Sequence, residues 1–148
     1  MKRIMGIDYG TARIGVALSD ELQMLAHPAE TIAVGREDPI ARLAAIAREQ
    51  KVERIIVGLP REMSGAHGES AIVAKKFADQ LRSVVQCEVQ LWDERLSTVA
   101  AQRALREAGK STRQSRGYVD QVAAQILLQS YLDSRELNRA GAGPEEIA

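Results

Sequence analysis

The sequence predicts one α/β domain built on a five-stranded mixed sheet with helices packed against it. Three observations carry that reading. The first 34 residues hold short apolar runs separated by turn residues and no helical stripe. From Asp38 onward, helical apolar stripes alternate with β-branched runs, and a strongly amphipathic segment from about Tyr118 to Leu132 closes the pattern. The resulting order is βββαβαβαα.

The first strand is Arg3 to Tyr9, a short apolar-rich run that reaches Asp8 before the Gly10-Thr11 turn. Arg13 to Ser19 follows with Ile14, Val16 and Leu18 on alternate positions, which makes an N-terminal hairpin. A third strand is expected over Ala29 to Val34, after the punctuation of Pro28. Asp38-Pro39 is an N-cap followed by proline at the first helical position, and Ile40, Leu43, Ala44, Ile46 and Ala47 give the stripe of a helix to about Gln50. Val52 to Gly58 carries consecutive β-branched residues suited to a strand covered on both faces.

Beyond Pro60, the glycine-punctuated run Arg61 to Gly68 reads as a substrate-facing loop. It leads into a helix whose expected core face is Ile72, Val73, Phe77, Leu81 and Val84. Glu88 to Trp92 is the fifth strand and runs into Asp93-Glu94-Arg95, and Ser97 is placed to cap a helix that stops near Gly109. The last helix offers Val119, Val122, Ala123, Ile126, Leu127 and Tyr131 to the core. Residues 1–133 are read as the domain, and 134–148, poor in large apolar residues, as a flexible tail.

Composition narrows the function classes. At 148 residues and 45% hydrophobic content the chain matches one ordinary domain, which buries roughly two thirds of its unfolded surface. Twenty Lys plus Arg balance twenty Asp plus Glu, so a nucleic-acid partner would have to be met by a local basic face. Cys87 is the single cysteine, which excludes an internal disulfide framework and a thiolate-only zinc site. The opening apolar stretch meets Asp8 too early for a signal-peptide core, and no run approaches the roughly 20 apolar residues of a membrane span, so the expected address is the cytoplasm, with no membrane partner.

Three acids stand out by position. Asp8 closes the first strand, Glu94 follows the fifth, and Asp120 lies in the first turn of the last helix. Right-handed crossovers bring the carboxyl ends of the first, fourth and fifth strands together, where open α/β sheets bind ligands. Carboxylates crowded there repel one another, and hard divalent cations relieve that repulsion, so magnesium or manganese suits the set better than zinc. Each acid also has a plain structural reading: Asp8 as a turn former, Glu94 as a strand-end charge, Asp120 as a complement to the helix dipole. Ala123, Ala124 and Leu127 follow Asp120 at helical spacing, however, and turn it toward the buried side.

The chain resembles the YqgF family, also called RuvX, within the RNase H-like superfamily. The residues that carry the resemblance are Gly6-Ile-Asp-Tyr-Gly10 with Arg13-Ile-Gly-Val-Ala17, then Val57-Gly-Leu-Pro60, Asp93-Glu-Arg-Leu-Ser-Thr98, and Val119-Asp-Gln-Val-Ala-Ala124. The resemblance implies a sheet ordered 3-2-1-4-5 and a metal-binding catalytic set at Asp8, Glu94 and Asp120. It further implies endonucleolytic maturation of the 5′ end of 16S ribosomal RNA, or resolution of four-way DNA junctions. A noncatalytic RNA- or ribosome-binding protein is the contrasting class. Partners on these readings are precursor ribosomal RNA, the ribosomal particle or branched DNA.

In the leading scheme Asp8 is the central ligand between two Mg²⁺ or Mn²⁺ ions, spaced roughly 3.5–4 Å apart as in other two-metal sites. Arg13, Arg61, Arg95, Arg113 and Arg116 fall at strand ends or in loops, where their forked donors suit a phosphodiester. The loop Lys110-Ser-Thr-Arg-Gln-Ser-Arg116 departs from the denser basic run of many relatives and offers fewer phosphate contacts. His67 and Cys87 read as a polar loop residue and a small packed residue. Asp8-Tyr-Gly-Thr11 also resembles the first phosphate loop of the actin, Hsp70 and sugar-kinase superfamily, whose nucleotide sits between two such domains; this chain supplies one. No apolar helix face is left over for a dimer interface, so a monomer or weak homodimer is expected.

Overall fold

The computed structural model describes residues 2–59, 67–93 and 116–139. Its elements are β1 (Arg3–Asp8), β2 (Arg13–Ser19), β3 (Ala26–Ala33), α1 (Pro39–Glu49), β4 (Val52–Leu59), α2 (His67–Arg82), β5 (Glu88–Asp93) and α3 (Arg116–Arg139). The five strands form one sheet in the order β3-β2-β1-β4-β5. β1 pairs antiparallel with β2 and parallel with β4, β2 pairs antiparallel with β3, and β4 pairs parallel with β5. This is the mixed sheet and strand order expected, the arrangement of an RNase H-like fold.

Strand alternation sorts the core into two layers. Met5, Ile7, Ile14, Val16, Ile55 and Val57 face α1 and α2, and close around Leu43, Ile46, Phe77 and Leu81. Ile4, Ala17 and Ile56 face the other way, against Ala124, Leu128, Tyr131 and Leu132 of α3. The α3 face is lined by smaller residues, and this lets a single helix lie close to the sheet. A Cβ on Gly6 would stand 2.7 Å from Leu128 Cβ. At the edge, Gln129 accepts from the Ala26 amide at 2.8 Å and donates to the Met24 carbonyl at 3.0 Å, which pins α3 to the start of β3.

Several sequence expectations change, and Asp120 falls in the second turn of α3, which begins at Arg116, instead of the first. β3 begins at Ala26, earlier than Ala29, because Pro28 sits on an edge strand where its missing donor is tolerated, beside a register shift between Val16 and Ala17. In α2 the buried stripe is Ala74, Phe77, Ala78 and Leu81, whereas Ile72 and Val73 are 54% and 42% exposed. The true repeat runs through two alanines whose weak hydrophobicity masks it, and the larger apolar neighbours lie off the stripe; Val84 falls past the helix end and is exposed. α3 continues to Arg139, beyond the expected end at Leu132. Arg135 accounts for part of that extension: its guanidinium lies 5.6 Å from the Tyr131 ring centroid and donates to Gln23 Oε1 at 3.1 Å. The expected helix between Ser97 and Gly109, and the loop Arg61 to Ala66, lie outside the described residues.

α1 begins as expected. Asp38 is the N-cap, its carboxylate accepting from the Ile40 and Ala41 amides at 3.1 and 3.4 Å, with Pro39 next. Among the described residues no helix is long and apolar enough to cross a membrane.

Candidate active site

Side chains two apart on a strand share a face, so Ile4, Gly6 and Asp8 of β1 all address α3. On β2 the same face carries Arg13, Gly15 and Ala17. Asp8 pairs directly with Gly15, which puts the acid at the carboxyl end of β1 beside a position with no side chain. α3 fills that space: a Cβ on Gly15 would lie 1.9 Å from the Asp120 carbonyl oxygen and 3.1 Å from Asp120 Cβ. The Asp120 backbone therefore rests on Gly15, the residue whose Cα lies one strand spacing, about 4.5–5.5 Å, from that of Asp8.

Arg13 completes the group. Its Nε donates to Asp120 Oδ2 at 2.6 Å, a short charge-assisted contact. Gly10 allows the turn that sets Arg13 in place, since a Cβ there would meet the Arg13 carbonyl oxygen at 2.5 Å. The Asp8 row also continues across the sheet. The register Ile7↔Val57 places Asp8 beside Gly58, and Gly58 pairs with Trp92, whose ring packs edge-on against Tyr131 with centroids 5.3 Å apart. Tyr9 turns to the other layer and stacks on Phe77 at 4.5 Å. Both aromatics flanking the site are thus committed to packing.

Of the residues singled out in the sequence, the structure brings Asp8, Arg13 and Asp120 together. Glu94, Arg61, Arg95 and Arg113 lie outside the described residues, and Arg116 is the first residue of α3. Among the described residues no three His, Cys, Asp or Glu side chains stand close enough to hold a metal ion, and Glu94 is not among them. Sequence reasoning misses two contributions. Gly15 reads there only as part of a motif, although its place two residues after Arg13 and opposite Asp8 makes it the seat of Asp120. Arg13 reads there as a phosphate ligand, whereas its partner in the structure is a carboxylate.

A concavity of about 450 Å³ opens at the other end of the sheet, between the end of α1 and the link from α2 to β5. Lys2, Arg48, Val52, Glu53, Val85 and Cys87 line it. It sits at the amino ends of β4 and β5, the end that open α/β sheets use for packing more than for chemistry. Cys87 is half-buried there, and desolvation pushes its thiol pKa up, away from nucleophilic use.

A family model described as RuvX, Holliday junction resolvase, matches residues 2–134. The chain belongs to this family. It is 43% identical over 136 residues to a "Putative pre-16S rRNA nuclease" of Bacillus cytotoxicus, covering 90% of this chain and 99% of the relative. A protein of the same name from Geobacillus kaustophilus is 46% identical over 136 residues, with the same coverage of 90% and 99%. Among solved structures, the T. thermophilus RuvC complex with a Holliday junction substrate superposes with a TM-score of 0.58 at 13% identity, covering 92% of this chain and 96% of that one. That likeness is one of fold. The family match and the sheet order agree that this RuvX-family chain carries its acids on an RNase H-like frame.

Proposed function

We propose that the protein is a metal-dependent endonuclease that cleaves phosphodiester bonds in the 5′-end maturation of 16S ribosomal RNA precursor, with Asp8, Glu94 and Asp120 as its cation ligands. The observation that carries the reading is the seating of Asp120 on Gly15, which joins two acids from opposite ends of the chain at the carboxyl end of β1. The names of the curated relatives supply the substrate.

The donor set fits a hard divalent cation: Asp8 and Asp120 offer carboxylate oxygens, and Asp120 already takes a cationic partner in Arg13. Bound Mg²⁺ or Mn²⁺, two ions in this scheme, supplies an acidified water and stabilises charge on the leaving oxygen. The chain's own residues do the rest. Asp8 and Asp120 hold negative charge at fixed backbone positions, and Arg13 stands at the rim where a phosphate enters. Arg61, Arg95, Arg113 and Arg116 are the further arginines proposed to contact phosphates of the nucleic acid.

The basic stretch from Lys110 to Arg116 gives a direct prediction. Replacing Arg113 and Arg116 together by alanine weakens RNA binding, and the slope of log affinity against log salt becomes shallower by about 0.7–0.9 for each phosphate that is no longer neutralised. Titrations at several salt concentrations read both quantities. An unchanged affinity and slope would remove these two arginines from the nucleic-acid footprint.

The cellular test is depletion. Cells lacking the protein accumulate 16S precursor with an unprocessed 5′ end, and wild type restores the mature end where Asp8→Asn does not. The family description favours one other reading, resolution of four-way junctions. That activity needs two chains presenting paired sites to opposing strands, whereas our reading of ribosomal RNA maturation takes a monomer or weak dimer acting in the cytoplasm. Normal 5′ ends after depletion, with a tight dimer by sedimentation that makes paired cuts in a junction, would replace the ribosomal reading by the resolvase.

A further inference from the structure

Arg13 and Asp120 are coupled more closely than a rim arginine and a ligand acid need to be. The contact from Nε to Oδ2 is 2.6 Å, and the arginine side chain is 42% exposed where the carboxylate is 22% exposed. The guanidinium is the more exposed partner and lies in contact with the carboxylate, so a cation arriving at Asp120 meets its positive charge. Arg13 lies against the Gly10 turn and Asp120 against Gly15 in close backbone contact, so rotation of the Arg13 side chain is the least costly way to part the pair.

A divalent cation on Asp120 would compete with the guanidinium for the same carboxylate and be repelled by it. A phosphodiester offers Arg13 a better partner, two oxygens matched to its forked donors. We propose that Arg13 is a latch on Asp120: it occupies the carboxylate while the site is empty and swings to the phosphate when nucleic acid arrives, releasing Asp120 to the cation. This rests on Asp120 being a cation ligand. Nucleic acid and cation then bind cooperatively through one side chain, and the coupling is reciprocal. Arg13 is a positioning residue in this scheme, acting on the cation through Asp120.

The test is Mn²⁺ binding, followed by electron paramagnetic resonance, to the full chain and to Arg13→Gln, Arg13→Lys and Asp120→Asn. Each is measured alone and with a 2′-O-methyl oligoribonucleotide, after subtraction of Mn²⁺ held by the oligonucleotide itself. Without nucleic acid, Arg13→Gln binds Mn²⁺ about tenfold more tightly than wild type, within the usual range of coupling between sites. Arg13→Lys, which keeps the charge but not the forked donor, falls between. The oligonucleotide tightens Mn²⁺ binding to wild type by a similar factor and changes Arg13→Gln little. A damaged fold does not raise metal affinity, so the direction of the effect separates the latch from structural loss. If Asp120→Asn weakens Mn²⁺ binding while Arg13→Gln leaves it unchanged or weakens it, the latch is wrong and the site stands. If Asp120→Asn leaves Mn²⁺ affinity unchanged, the assignment of Asp120 as a ligand fails, and the latch with it.

Discussion

Asp8→Asn is expected to fold like the wild type and to lose nuclease activity by on the order of 10³-fold, since a cation-centred site supplies several kcal/mol of transition-state stabilisation and each 1.36 kcal/mol is a decade in rate. Asparagine keeps the volume and one carbonyl oxygen of the side chain, but it removes the negative charge from the end of β1, beside Asp120 on the same face. Asparagine matches aspartate in size, so the fold is kept. Cleavage under saturating Mn²⁺, measured beside a urea melt, reads both. Activity within a few-fold of wild type in a folded variant would remove Asp8 from the chemistry.

Gly15→Ala carries the largest expected loss of stability, about 3 kcal/mol, at the upper end of the cost of overpacking. The added methyl would lie 1.9 Å from the Asp120 carbonyl oxygen and 2.4 Å from its carbon, both backbone atoms, so no rotamer change relieves the clash. α3 has to lift, and with it the packing of Ala124, Leu128, Tyr131 and Leu132 on the sheet. Asp120 moves away from Asp8 at the same time, so metal affinity falls with stability. Gly6→Ala is the comparison: its nearest neighbour is the Leu128 side chain at 2.7 Å, farther along the helix from Asp120, and its effect is on stability more than on the cation. A Gly15→Ala variant that unfolds within about 0.5 kcal/mol of wild type would mean that α3 does not need this glycine.

The sheet was legible where one physical signal dominated. The alternation of Ile14, Val16 and Leu18 and the β-branched run Arg54-Ile-Ile-Val57 read directly as strands, and Asp38-Pro39 as a helix start. The buried face of α2 was not legible, because alanines at positions 74 and 78 pack against the sheet without looking hydrophobic, while Ile72 and Val73 are left exposed. The candidate site was legible in its acids but not in its assembly. Asp8 and Asp120 announce themselves by position, yet what joins them is an absence, the missing side chain of Gly15, which becomes meaningful only once the β1–β2 register is known. The Arg13 contact is hidden for a related reason: an arginine at the start of a strand reads as a phosphate ligand until a helix from the far end of the sequence brings an acid to it.

The most direct measurement is cleavage of 16S precursor RNA by the purified protein, with four-way junction DNA and unstructured RNA in parallel, each with Mg²⁺, Mn²⁺ or chelator, and with products mapped at nucleotide resolution. A divalent-dependent cut in the 5′ leader of the precursor, absent with chelator and absent for Asp8→Asn and Asp120→Asn, is the expected result. Cleavage that persists in chelator or in both acid variants, or paired cuts confined to the DNA junction, would contradict it.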